Sequence, residues 1–480
     1  MLFNSWAFAA FLPAVFLIYW KLAATSLRFQ NLFLIAASYL FYGWWDYRFL
    51  SLIIISSAVD YSVGLGLAAT EGARKRKALL LASLLANLGL LGFFKYFDFF
   101  IESFAALLAT LGFQPNLPSL RVVLPVGISF YTFQTLSYTI DVYRRRIPAT
   151  RDAVAFFAFV SFFPQLVAGP IERAASLLPQ FQRRRAFDAD VAADGLRQML
   201  WGFFKKMVIA DNVARHVDVI FAGSGDYGGQ TLFFGVFLFA FQIYCDFSGY
   251  SDIAIGTARL FGFSLMRNFA YPYFSRNIAE FWRRWHISLS TWFRDYLYIP
   301  LGGSRLGAFR HHVNVIITFT ISGLWHGANW TFVIWGLLNG LYFIPLMWTG
   351  RRKKHGAEIA PGRVLPRLTE LAAMAVTFAA TLLAWVFFRA DSLSHAVSYL
   401  GRMLLGNPFA GEQIARGVFV PGLTFITAMV AVEWLQRHRQ HALEMPGVRR
   451  WIRWSIYLAV ALSIVTFGSF SQTNFIYFQF

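Results

Sequence analysis

The sequence predicts an all-α polytopic membrane protein, and three observations lead to this fold class. Of the 480 residues, 57% are hydrophobic and only 14% are charged. The mean hydropathy is +0.51, whereas a soluble protein of this length needs far more charge to cover its surface. Apolar runs near the length of a bilayer span recur along the chain, and they are too long and too uniform for barrel strands.

These apolar runs are the candidate membrane helices. The first, Ala7–Trp20, lacks a basic region before it and a small-residue cleavage site after it, so we interpret it as a retained helix and not as a signal peptide. The others include Asn31–Tyr42, Phe49–Ala69, Thr231–Ala254, Thr331–Met347 and Leu368–Phe388. Because no internal repeat or long linker divides the chain, we predict one transmembrane domain over residues 1–480.

The net charge of +19 is concentrated in short basic clusters, which favours a membrane topology over nucleic-acid binding. The clusters are Arg74–Lys77, Arg144–Arg146, Arg183–Arg185, Arg351–Lys354 and a segment near Arg437. Such clusters mark cytoplasmic loops and can face the anionic head groups of a phospholipid membrane. Trp44 and Trp45 lie between two basic segments and suit an aromatic belt at the membrane face opposite to the cytoplasm. The N-terminus is therefore predicted to be external.

The middle of the chain indicates an irregular bundle of helices. Basic clusters at Arg144 and at Arg173–Arg185 flank Ala153–Ala168, which contains Pro164. A segment that crossed the membrane once could not leave both clusters on the same side. We therefore predict that this segment is re-entrant.

A single histidine in an apolar region is the strongest site signal. His326 lies in "ISGLWHGANW", between Gly323 and Gly327. The upstream run, Val313–Ile321, is too short to span, so a break between a short helix and a full one is expected near His326. A neutral imidazole there suits a general base or a nucleophile, and a histidine bonded to a neighbouring helix is an equally strong alternative.

The stretch Asn277–Gly303 mixes arginines with tryptophans and contains His286. It predicts a helix with a basic and an aromatic face, lying at the membrane interface or lining a polar cavity. His286 could face either lipid head groups or the interior. In Gln242–Gly256, Asp246 and Asp252 interrupt another apolar run, so Asp246 is expected to line a tunnel or to pair with an arginine of Asn277–Gly303.

Several other kinds of chemistry have no support in the sequence. There is no Walker loop, no GxSxG elbow and no dinucleotide fingerprint. The single cysteine, Cys245, excludes a disulfide framework and a CxxC knuckle. Two histidines forty residues apart, with no carboxylate at ligand spacing, predict no metal site.

Longer motifs carry a family resemblance. "FWRRWHISLSTWFRDYLYIPLGG" followed by "GLWHGANWTFVIWG" resembles the membrane-bound O-acyltransferase (MBOAT) superfamily. Similar stretches are "LPVGISFYTFQTLSYTIDVYR", "FPQLVAGPIER", "YCDFSGYSDIAIG" and "FIYFQF". The likeness is strongest to the bacterial alginate O-acetyltransferase branch, which is related to the lipoteichoic-acid D-alanyl transferase.

The resemblance implies a ring of tilted transmembrane helices, with re-entrant or broken segments around a central funnel and tunnel. It implies His326 as the essential catalytic residue and His286 as the second motif histidine. His326 would act as general base or as a transient acyl carrier. The expected substrate-binding or tunnel-lining residues are Arg284, Trp285, Asp246, Trp325 and Asn329.

The resemblance also implies the reaction and its partners. A multi-pass protein of the bacterial inner membrane would take an acetyl group from a cytoplasmic thioester, either acetyl-CoA or an acyl-carrier protein, without a bound cofactor. A periplasmic SGNH-type acetyltransferase would place it on an exopolysaccharide such as alginate. Alternatives are cellulose or peptidoglycan O-acetylation and D-alanyl transfer to teichoic acid. A small-anion transporter is the rival from another class, but only one broken segment is evident.

Overall fold

A computed structural model describes residues 1–23, 25–113, 120, 122–167, 169–349, 358–411, 416–470 and 475–476. The helices are α1 (Trp6–Ala23), α2 (Leu27–Gly43), α3 (Leu50–Ala69), α4 (Ala73–Leu91), α5 (Phe97–Thr110), α6 (Ile128–Tyr143), α7 (Ala153–Ser161), α8 (Phe163–Leu166), α9 (Ala174–Phe181), α10 (Ala189–Phe203), α11 (Asp211–Ala222), α12 (Gly229–Leu260), α13 (Ile278–Arg284), α14 (Ile287–Phe293), α15 (Gly307–His326), α16 (Trp330–Tyr342), α17 (Ile344–Trp348), α18 (Leu368–Arg389), α19 (Leu393–Leu405), α20 (Arg416–Leu435) and α21 (Arg450–Phe467). The described residues form no strand beyond an isolated bridge between Tyr227 and Gly411.

Among the described residues, six helical stretches are long and apolar enough to cross a membrane. They are Trp6–Ala23, Tyr47–Ala69, Ala73–Thr110, Gly229–Leu260, Trp330–Trp348 and Leu368–Arg389. Five of them contain apolar runs expected from the sequence, which confirms the all-α polytopic class. The run Asn31–Tyr42 lies in α2, which has 17 residues and is not among the six.

Two compact units divide the chain: residues 1–192 with 257–265, and residues 193–256 with 266–480. The single transmembrane domain over residues 1–480 therefore stays a prediction. The first unit contains a buried polar cluster that joins α3, α4 and α6. The carboxylate of Asp60 accepts hydrogen bonds from Ser83, from Asn87 at 2.9 Å and from Thr139 at 3.0 Å. Such bonds hold helices together where water is absent.

One sequence interpretation changes in detail, and two others stay predictions. Arg74–Lys77 lies on the first turn of α4 and not in a loop. The predicted re-entrant segment contains two short helices, α7 and α8, separated at Phe162, and neither is long enough to cross the membrane alone. Its last residue, Ala168, lies outside the described residues. The cluster Arg351–Lys354 also lies outside them.

Within the second unit, α15 and α16 form the hairpin that carries His326. The expectation of a short helix before this residue was wrong, because α15 runs for 20 residues and ends at His326 itself. The break lies after the histidine, at residues 327–329. A Cβ atom on Gly323 would collide with the carbonyl oxygen of Phe332, and one on Gly336 would collide with that of Phe319. Small residues therefore let the two backbones touch.

The expectation of one interfacial helix over Asn277–Gly303 was also wrong. The chain forms α13, breaks at Trp285 and His286, and continues as α14 and a π-helical turn, Arg294–Tyr298. His286 has φ +43°, in the left-handed region, which ends the regular helix at this position. Most of the aromatic side chains of this segment are buried.

We expect Gly323→Ala and Gly336→Ala to lower the unfolding temperature of the detergent-solubilised protein. Each added methyl group meets a backbone carbonyl that cannot move aside, and overpacking of this kind costs about 1–3 kcal/mol. The measurement is the monodisperse fraction left after heating. Gly401→Ala on α19 is the control, since its Cβ would meet nothing within 4 Å. Equal unfolding temperatures for all three variants would show that the close approach is unnecessary.

Candidate functional site

The backbone around His286 is fixed by polar contacts with a neighbouring segment. The amide N–H of Ile287 donates to the carbonyl oxygen of Asn268 at 2.9 Å. The Asn268 side-chain oxygen accepts a hydrogen bond from the Ser288 hydroxyl, also at 2.9 Å. These bonds hold His286 in a backbone conformation that a non-glycine residue seldom adopts, and such strain is concentrated at functional sites.

His326 is held by the aromatic rings that surround it. Its ring centroid lies 5.0 Å from that of Trp325, 5.0 Å from that of Trp335 and 5.5 Å from that of Phe388. Trp335 in turn stacks on Trp385 at 5.7 Å. The imidazole therefore occupies a position set by large, rigid side chains.

The structure brings the two motif histidines together. The ring centroids of His286 and His326 lie 6.2 Å apart, and Trp325 lies 6.1 Å from His286. His286 is 0% and His326 2% exposed, which excludes a His286 that faces lipid head groups. Phe247 contacts His286 edge-on at 4.6 Å. The two histidines thus form one buried centre. We call the rings around them the aromatic wall, which includes Phe247, Trp325, Trp335, Trp385 and Phe388.

Burial also sets the charge of this centre. The loss of solvation lowers the pKa of His286, which lies between α13 and α14, to about 3. Its imidazole is therefore neutral at physiological pH, and its unprotonated nitrogen keeps a free lone pair. Within the described residues, no group of three His, Cys, Asp or Glu side chains could hold a metal ion.

Of the other predicted site residues, Trp285 and Trp325 lie in the aromatic wall. Trp285 packs against Trp385 at 5.1 Å and is 1% exposed. Arg284 instead donates to the Glu280 carboxylate at 3.0 Å and to the carbonyl oxygen of Ala270 at 3.2 Å. That arrangement stabilises the turn before His286.

Asn329 and Asp246 have structural partners. The Asn329 side-chain oxygen caps α16 by accepting from Thr331 N–H, and its amide group donates to the carbonyl oxygen of Asp391 at 3.1 Å. Asp246 pairs with Lys206 at 2.7 Å, so the expected arginine partner from Asn277–Gly303 was wrong. Lys206 also binds Asp211 at 2.8 Å, and Asp246 accepts the N–H of Ile476 at 2.8 Å.

A cavity of about 530 Å³ lies beside the histidine centre. It is lined largely by apolar groups of α13, α14 and α15, among them Trp282, Ile287 and Ser322. Ile287 follows His286 directly, and Ser322 lies one helical turn before His326. Arg283 also lines this cavity, is exposed, and makes no hydrogen bond or ion pair with the described residues. The sequence pair Arg283–Arg284 gives no sign of which arginine faces the cavity.

The helices and the buried centre define a class: polytopic membrane proteins with a buried histidine pair on segments that also line an apolar cavity. Residues 118–355 match the family model of membrane-bound O-acyltransferases. The chain belongs to the membrane-bound O-acyltransferase family and is an O-acyltransferase. This membership supports the enzyme over the transporter alternative.

The relatives of the chain are named as O-acetylases, an O-acetyltransferase and a D-alanyltransferase. It is 37% identical to a probable alginate O-acetylase of Pseudomonas putida, over 100% of both chains. It is 42% identical to the probable alginate O-acetylase of Pseudomonas aeruginosa, over 82% of this chain and 73% of that protein. Identity to the peptidoglycan O-acetyltransferase of Helicobacter pylori is 34%, over 100% and 98%. A teichoic acid D-alanyltransferase of Streptococcus thermophilus is more distant, at 27% over 60% and 75%.

We expect Lys206→Met to destabilise the second unit strongly. The substitution leaves Asp211 and Asp246 buried beside each other without their shared cation, and removal of one partner of a buried pair costs about 3–5 kcal/mol. Thermal unfolding in detergent is the measurement. Arg48→Met, which removes the exposed partner of Asp46, is the control and is expected to leave the unfolding temperature unchanged. A Lys206→Met protein as stable as wild type would contradict this account.

Proposed function

We propose that this O-acyltransferase takes an acetyl group from a cytoplasmic thioester and delivers it across the inner membrane for O-acetylation of an exopolysaccharide. The acceptor we propose is alginate or an alginate-like glycan. The observation that carries the proposal is the buried pair of His286 and His326 on segments that also line the cavity, since buried imidazoles next to an apolar space suit acyl transfer. The names of the alginate O-acetylase relatives support this acceptor.

The donor fits the cavity by shape and charge. The arm that carries the acyl thioester is long and mostly uncharged. Phosphate groups lie at the end of the arm that is opposite to the thioester. The cavity offers apolar walls for the arm and the guanidinium of Arg283 for a phosphate. Acetyl-CoA is the donor we propose, and an acyl-carrier protein with the same arm is the alternative.

His326 is the residue we assign to proton transfer. As the acceptor hydroxyl attacks the thioester carbonyl, His326 takes the hydroxyl proton, the carbon–sulfur bond breaks, and the proton passes to the leaving thiolate. The same imidazole could instead hold the acyl group transiently, with attack by its nitrogen and release to the hydroxyl. His286 positions the thioester at the opposite face of the centre.

A second candidate acceptor is peptidoglycan, because the Helicobacter relative of that name aligns over the whole chain. In either case a periplasmic SGNH-type transferase would place the acetyl group on the glycan. The topology we propose has an external N-terminus.

We expect His326→Asn to abolish ester-linked acetate on the surface polysaccharide in a strain that lacks the native gene. Loss of a general base costs about 10²–10⁴-fold in rate. Wild type and variant are compared at equal membrane levels, and the exposed His438→Asn serves as the control. Ester-linked acetate at the wild-type level in the His326 variant would contradict the assignment of His326 as a catalytic residue.

We expect Arg283→Gln to raise the KM for acetyl-CoA about tenfold while kcat stays near the wild-type value, because one charge-assisted hydrogen bond to phosphate is lost. The assay is thiol release by protein in proteoliposomes. Arg310→Gln, an equal charge change outside the cavity, is the matched control. The same KM for both variants would show that the donor does not bind in this cavity.

A further inference from the structure

Outside the histidine centre, a serine, a histidine and an aspartate form a nucleophile–base–acid arrangement. Ser224 Oγ lies 3.2 Å from His395 Nε2, and His395 Nδ1 lies 3.7 Å from Asp391 Oδ2. Ser224 sits in the turn after α11, Asp391 lies between α18 and α19, and His395 is on the first turn of α19. A serine, a histidine and a carboxylate in this order form the constellation that activates a hydroxyl for acyl transfer.

We propose that Ser224 is a second acyl-accepting nucleophile, with His395 as its base and Asp391 as the group that orients His395. Its substrate class is an activated two-carbon acyl group, and this assignment rests on the proposed function because the histidine centre would supply that group. Ser224 would hold the acyl group as an ester before it passes to an acceptor hydroxyl.

The surroundings of Ser224 suit a nucleophile. Gly223 and Gly225 flank it, and a Cβ atom on Gly225 would meet nothing within 4 Å, so the approach is open. In the described part of the chain, the amide N–H groups of Ser224 and Gly225 donate no hydrogen bond. Two adjacent free N–H groups beside a reacting oxygen can stabilise the negative charge of a tetrahedral intermediate.

His395 is held in the orientation that a base needs. Its ring lies 6.4 Å from Phe221 and 6.3 Å from Tyr399, and these two rings stack at 4.5 Å. The carboxylate on the Nδ1 side favours a proton on that nitrogen, which leaves the Nε2 lone pair to accept the Ser224 O–H. The Asp391–His395 distance exceeds a hydrogen bond, and such contacts tighten when the imidazole becomes charged during reaction.

This arrangement is connected to the histidine centre. Phe388 packs against His326 at 5.5 Å, and Asp391 follows three residues later. The Asp391 carbonyl oxygen accepts a hydrogen bond from Asn329, which lies three residues after His326. Because α18 starts after the basic cluster Arg351–Lys354, its far end would lie on the external side in the predicted topology.

The chemistry balances without an oxidant or a metal. Ser224 Oγ attacks the acyl carbonyl of the thioester, or of an acyl group held on His326, while His395 takes the hydroxyl proton. The bond from the carbonyl carbon to sulfur or nitrogen breaks, and the leaving group takes that proton. An acceptor hydroxyl then attacks the Ser224 ester, the acyl group moves to it, and its proton returns to Ser224 through His395.

The first test is labelling of the full-length purified protein with a fluorophosphonate, which reacts with activated serines. We expect one label on the peptide that contains Ser224, none in Ser224→Ala, and labelling about 100-fold slower in His395→Asn, the size of a base contribution. The neighbouring Ser394→Ala is the matched control and should label as wild type does. No label on Ser224, or a rate independent of His395, would overturn the proposal.

The second test uses acetyl-CoA and mass spectrometry of the same peptide. We expect an acetyl adduct on Ser224 in wild type, and an adduct in Ser224→Cys, where the introduced thiol replaces the hydroxyl and the remaining cysteine, Cys245, is buried. Absence of both adducts, despite fluorophosphonate labelling, would overturn the acyl-relay role. An adduct that persists in His326→Asn would show that the thioester acylates Ser224 directly, which would contradict supply of the acyl group by the histidine centre and leave the role of Ser224 intact.

Discussion

Two imidazoles, forty residues apart in the chain, lie 6.2 Å apart inside an aromatic wall, and the local backbone is arranged around this contact. One histidine ends α15 where Gly323 and Gly336 bring two helices to backbone contact. The other occupies a left-handed position between α13 and α14, held there by Asn268. Helix ends place both rings more firmly than a loop would, because each ring is positioned by packed aromatic side chains.

The charged groups of the second unit divide into two kinds. Lys206 pairs with both Asp246 and Asp211 in the interior, and Glu280 pairs with both Arg276 and Arg284. Buried charges need such partners, so these residues contribute to structure first. Arg283 has no such partner among the described residues and faces the cavity, which leaves its charge available to a ligand.

The fold class followed from the sequence because hydropathy and length decide whether a helix crosses a membrane. His326 was evident for a similar reason: an ionisable side chain in an apolar run is costly unless it has a use. The break next to His326 was predicted, but the length of the helix before it was not, because α15 begins at Gly307, well before the apolar run that the sequence shows. The left-handed backbone of His286 carries no sequence signal, because non-glycine residues adopt it only under tertiary constraint. The partners of Asp246 and of Ser224 come from distant segments, which spacing along one sequence cannot reveal.

The most direct test of the central claim, that His286 and His326 act as one centre, is a double-mutant cycle. Single-turnover release of thiol from acetyl-CoA would be measured for His286→Asn, His326→Asn and the double variant in proteoliposomes. If the two residues act as a unit, the double variant will be no slower than the slower single variant. Rate losses that multiply in the double variant would show that the histidines act independently and would contradict a shared centre.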